Sequence, residues 1–150
     1  MTIRDLHWGR TFLAAVTITL LVPDAPASAQ RGVSATAPAG PGSPQRRAIL
    51  DALRPPVERA LGGPVEFVVS RLDVRQGWAL VFADPQRPGG GRIDGRRHFG
   101  AEFDNMDGLG ISAILRFQNG RWRLVDHAIG ATDAWYCGTP PVAPAALTGC

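Results

Sequence analysis

The sequence predicts an α+β domain: one amino-terminal helix, kinked at a proline pair, packed on a curled four-stranded antiparallel sheet. Three observations predict it. Apolar residues recur at helical spacing from Ile49 to Leu61, and the pattern then turns to strand-like runs. An Asn-Gly dipeptide joins the last two runs.

The first element is an address rather than structure. Arg4 and Arg10 give a positive start, Thr11 to Val22 is apolar with only threonine for polarity, and Pro23-Asp24 breaks it. Ala27-Ser28-Ala29 supplies small residues for cleavage, so residues 1–29 read as a secretory signal peptide. The apolar run is too short to span a bilayer, and no stable membrane insertion is expected after cleavage. Residues 30–43 are rich in Ala, Gly, Pro and Ser without apolar period, and read as a disordered linker.

The domain is expected over residues 44–136. Ser43 as N-cap and Pro44 at the first helical position open the helix. Ile49, Leu50, Leu53, Val57 and Leu61 form its apolar face, and Gly62-Gly63-Pro64 ends it. Pro55-Pro56 removes hydrogen bonds inside it, which predicts a kink or a break into two short helices.

Strands follow. Val65, Phe67 and Val69 alternate, then the apolar parity moves to Leu72 and Val74, which predicts a bulge near Arg71. Gln76-Gly77 reads as a turn. Trp78 to Ala83 is apolar on both parities, as a strand covered on both faces requires. Pro85 to Arg97 reads as a glycine-rich loop or irregular hairpin, and His98 to Asp107 as a strand edge or short helix. Leu109 to Phe117 alternates, Asn119-Gly120 turns, and Trp122 to Ile129 resumes. Trp78, Phe82, Phe117 and Trp122 are expected in the core.

Residues 137–150 read as an irregular tail closed by a Cys137–Cys150 disulfide. The two cysteines form an even pair in an exported chain, and their spacing is not that of a redox motif.

Charge narrows the chemistry. All sixteen basic residues are arginine, against thirteen acidic ones. Schiff-base chemistry and a phosphate-loop lysine are therefore excluded. A net charge of +3 leans toward anionic partners without the clustered basic face of a nucleic-acid binder.

Leu115–Gly130 (LRFQNGRWRLVDHAIG) resembles the last hairpin of cystatin-like and nuclear-transport-factor-like domains. Ile49–Val74 and Trp78–Gly90 resemble small exported bacterial proteins. The resemblance covers about residues 45–135 and implies a cystatin-like fold. That fold hosts enzymes and binding modules alike, so no catalytic role transfers with it.

Catalytic candidates are few. Asp126 and His127 are adjacent on a strand, point to opposite faces, and need partners from elsewhere. Asp126 shares parity with Trp122 and Leu124, where a carboxylate would serve as a general base. His98 is the other histidine of the mature chain, and two distant histidines make no metal motif. Phe103–Gly108 lacks the carboxylates of a calcium loop, and Gly110–Ile114 lacks the last glycine of a nucleophile elbow. No cofactor is implied. Around Gly89-Gly90-Gly91, Arg87, Arg92, Arg96 and Arg97 are able to hold a carboxylate or phosphate in bidentate fashion; Arg92, Arg96 and Arg97 are the expected anion-binding set.

The favoured expectation is a periplasmic or secreted, non-enzymatic module that binds an envelope protein or an anionic small molecule. The rival is a small pocket enzyme of dehydratase, isomerase or hydrolase type using Asp126 with His98 or His127.

Overall fold

The computed structural model describes residues 39–138 and 143–150. The signal peptide read over residues 1–29 and most of the linker lie outside the described residues. Helix α1 (Pro44–Ala60) leads into strands β1 (Glu66–Arg75) and β2 (Trp78–Gln86). A short helix α2 (Gly95–Phe99) runs into a 3₁₀ turn, Gly100–Asn105. Strands β3 (Ile111–Gln118) and β4 (Arg121–Ile129) follow, then a 3₁₀ turn at Trp135–Cys137 and helix α3 (Ala145–Thr148). The four strands form one antiparallel sheet in the order β1-β2-β3-β4. The domain is α+β, with helices packed against a four-stranded antiparallel sheet.

Helix α1 starts where the sequence places it. The Ser43 hydroxyl accepts from the Arg46 N–H at 3.1 Å, and Pro44 needs no partner at the first position. The helix continues through Pro55 and Pro56 as one element rather than two. Its buried stripe explains why. Ile49, Leu53, Val57 and Leu61 are fully buried and anchor both sides of the proline pair, while Pro55 faces solvent.

Both turns between paired strands have positive φ at their two central residues. Gln76 and Gly77 stand at 54° and 75°, Asn119 and Gly120 at 51° and 75°. This geometry matches the right-handed twist of the flanking strands.

The expected bulge near Arg71 is present: the β1–β2 register shifts between Val69 and Arg71, leaving Ser70 as the extra residue. A second bulge lies in β4. Leu115 pairs with Leu124 but Ile114 with Asp126, so Val125 is the inserted residue. Beyond it the parity is reversed. Asp126 does not share a face with Trp122 and Leu124, as the uninterrupted alternation predicts; His127 does, opposite Ala113.

The sheet is covered on both faces. Ala79, Val81, Ala113, Leu115 and Trp122 pack under α1. On the other face, Trp78, Leu80 and Ile114 pack with Ala143 and Leu147 of the carboxyl segment, with Phe82, Trp135 and Tyr136 against them. The expected aromatic core is thus divided between the two layers. Trp78 and Phe82 belong to one, and Phe117 and Trp122, with ring centroids 5.4 Å apart, to the other. The carboxyl segment is no loose tail. The Cys137–Cys150 disulfide, with Cα atoms 5.6 Å apart, closes it as a covering layer. No helix among the described residues is long and apolar enough to cross a membrane.

Candidate functional site

The carboxyl end of α1 leaves backbone carbonyls without intrahelical partners. Arg87 meets them. Its Nη2 donates to the Leu61 carbonyl at 2.5 Å and its Nη1 to the Pro64 carbonyl at 3.1 Å. A cation at a helix carboxyl end also complements the macrodipole. Gly62 and Gly63 make room for this contact, with φ of +63° and +154°. A Cβ on Gly62 would stand 2.9 Å from the His98 ring, and one on Gly63 would stand 3.3 Å from the Arg87 guanidinium.

The glycine-rich stretch after Arg87 is a tight reversal. The Arg87 N–H donates to the Gly91 carbonyl at 2.7 Å, and the Gly90 N–H to the Arg87 carbonyl at 2.9 Å. Gly89 and Gly90 take positive φ there, which glycine adopts at no steric cost. The reversal brings Arg92 back beside Arg87. Asp94 then caps α2 by accepting from the Arg97 N–H at 3.4 Å, and α2 carries Arg97 and His98.

These elements line one cleft of about 440 Å³, walled by Gly62-Gly63-Pro64, Arg87, Arg92, Asp94, Arg97 and His98. Arg87 and His98 approach to 3.5 Å between Nη2 and Nε2. The Arg92 and Arg97 side chains have no hydrogen-bond or ion-pair partner among the described residues. Three guanidinium groups face one carboxylate, so the cleft carries excess positive charge. Two free guanidinium forks in one cleft are suited to bidentate contact with a carboxylate or phosphate.

Arg96 is not in that cleft; it forms a two-toothed ion pair with Asp104 of the following 3₁₀ turn. The expected trio of Arg92, Arg96 and Arg97 is therefore divided. His98, read above as a catalytic candidate, stands with the arginines instead. The signal for this grouping was the Gly-Gly-Pro stop itself, which reads as a helix terminus and also serves as the seat for Arg87 and His98.

Asp126 meets His127 only as its neighbour on β4, with the two on opposite faces of the sheet, and does not line the cleft that holds His98. The Asp126 carboxylate is exposed and accepts from the His127 N–H at 2.8 Å. His127 lies half-buried on the α1 face. Burial lowers its pKa, the Asp126 charge opposes that shift, and the Arg59 charge adds to it.

A separate cleft of about 410 Å³ lies at the edge of the tail-covered face, lined among others by Asp84, Asp107, Asp133, Ser112 and Tyr136. No group of three or more histidines, cysteines or carboxylates among the described residues is placed to hold a metal ion. The sequence reading did not single out these aspartates, because they are dispersed along the chain and meet only through the fold.

No protein-family model, no curated protein and no solved structure matches this chain.

Proposed function

We propose that the protein is an exported, non-enzymatic binding module of the cell envelope, periplasmic or secreted. In this reading it takes an anionic ligand between Arg92 and Arg97. The observation that carries the reading is the cleft itself: two arginines free of partners beside Arg87 and His98, on a frame set by a helix end and a tight glycine turn. The signal-peptide pattern of residues 1–29 supports export, and the disulfide is in keeping with an oxidising compartment. The cystatin-like or nuclear-transport-factor-like reading, with a curled sheet and a helix kinked at Pro55-Pro56, rests on the hairpin resemblance and on one helix packed across four antiparallel strands.

Titration of the mature chain with inorganic phosphate at low ionic strength tests the reading. Arg92→Ala and Arg97→Ala are each expected to weaken binding by about tenfold. Arg121→Ala, at the β3–β4 turn and outside the cleft, is expected to leave it unchanged. No binding at millimolar phosphate, or equal losses in all three variants, overturns it.

A further inference from the structure

Arg92, Ile93 and Asp94 line both the arginine cleft and a second groove, of about 830 Å³, whose other walls come from the end of β2 and from the α2 region. The walls there change character. Pro85, Ile93, Phe103 and Leu109 contribute apolar surface. Phe103 is held in this wall by a glycine: a Cβ on Gly95 would lie 2.1 Å from its ring, so the ring rests directly on the α2 backbone. Asp84 is the other carboxylate of the groove besides Asp94, and no arginine but Arg92 lines it.

The two clefts differ in charge. Arg87, Arg92 and Arg97 outnumber Asp94 in the first, whereas the second adds apolar side chains and Asp84 to Arg92 and Asp94. An anion fits the first and is repelled at Asp84. An apolar chain fits the apolar wall of the second.

We propose that the two clefts, which share Arg92, Ile93 and Asp94, together bind an anionic amphiphile: one carboxylate or phosphate head at Arg92 and Arg97, and one apolar chain along Ile93, Phe103 and Leu109. The proposal rests on the anion-binding reading and adds the chemical class of the ligand. Both volumes lie in the range of small-molecule sites. Head and chain supply separable parts of the affinity. The head part falls with salt. The chain part grows by up to about fourfold per fully buried methylene.

The test compares inorganic phosphate, butyl phosphate and octyl phosphate on the unaltered mature chain by isothermal titration, below any micelle-forming concentration. Octanoate and the uncharged octyl glucoside form the second arm. Affinity is expected to rise at least tenfold from inorganic to octyl phosphate, and octyl glucoside is expected to bind far more weakly than either octyl anion. Octanoate against octyl phosphate decides which head is preferred. Phe103→Ser is expected to remove the chain-length gain while leaving inorganic phosphate binding intact, with near-ultraviolet circular dichroism reporting that the fold persists. The chain-length series needs no variant, so a poorly folded Phe103→Ser leaves the test decisive. Equal affinity for inorganic and octyl phosphate overturns the amphiphile and leaves anion binding standing. Equal binding of octyl glucoside and octyl phosphate overturns the charged-head assignment. Failure of every anion to bind overturns both readings.

Discussion

The indole Nε1 of Trp135 donates to the Ser112 hydroxyl across 2.7 Å. This bond joins the carboxyl segment to the start of β3. Ser112 is a buried polar side chain in a sheet face otherwise covered by apolar groups, so its hydroxyl needs a partner. Trp135 supplies one and covers the face at the same time. Tyr136 extends the cover, edge-on to Phe82 at 5.6 Å and to Trp135 at 5.9 Å. Arg71 closes the rim. Its guanidinium lies 5.7 Å from the Phe82 ring centroid and donates to the Leu147 carbonyl at 3.2 Å.

Trp135→Phe is therefore expected to lower stability by about 1–2 kcal/mol, since it leaves the Ser112 hydroxyl buried without its donor. Urea denaturation reads the loss. The double variant with Ser112→Ala is expected to recover part of it, because both polar partners are then gone. An unchanged urea midpoint in Trp135→Phe contradicts this role.

The disulfide holds the same layer. Cys137 and Cys150 are 13 residues apart, and their bond constrains the unfolded chain. Cys137→Ser with Cys150→Ser is expected to cost on the order of 3 kcal/mol. The loss is expected to appear as a lower thermal midpoint. Limited proteolysis is expected to cut first within residues 138–150. Even cutting throughout the chain would show that the segment is not a separable layer.

Gln76 occupies a turn position with φ of 54°, where asparagine is favoured over longer side chains. The equivalent position of the other hairpin is Asn119. Gln76→Asn is expected to stabilise the domain by about 0.5 kcal/mol with no effect on ligand binding. A raised urea midpoint with unchanged slope confirms it, and a lowered midpoint refutes it.

His127 predicts a pH dependence. Its pKa in the fold is lowered below the ordinary 6.5, chiefly by burial. The unfolded chain therefore binds the proton more readily. This contribution to stability is present above the unfolded value and is lost as pH falls from about 6.5 toward the lower folded value. Urea midpoints measured at mildly acidic and at neutral pH are expected to differ, the acidic one being lower. His127→Gln is expected to narrow the difference; an identical pH dependence in the variant assigns the effect elsewhere.

Local chemistry carried much of the fold. The Ser43-Pro44 start, the Ile49–Leu61 stripe, the Asn119-Gly120 turn and the bulge near Arg71 depend on neighbours a few residues away, and such signals survive in sequence. The cysteine pair also reads directly, because two cysteines in the chain allow a single pairing. The bulge at Val125 escaped the same logic. Leu124 and Val125 are both apolar and each suits one face, so the alternation conceals the inserted residue. That one residue moves Asp126 off the α1 face and puts His127 there.

The cleft belongs to the tertiary structure. In the sequence Arg87, Arg92, Arg96 and Arg97 read as a basic loop able to hold an anion, and His98 as a separate catalytic candidate. Which of them meet was decided by a distant helix end and the turn after it, whose Leu61 and Pro64 carbonyls claim Arg87, and by Asp104, which withdraws Arg96. The physical reason is the same in both cases. A guanidinium goes to the strongest acceptor the fold brings near it, and only the folded chain determines which acceptors those are.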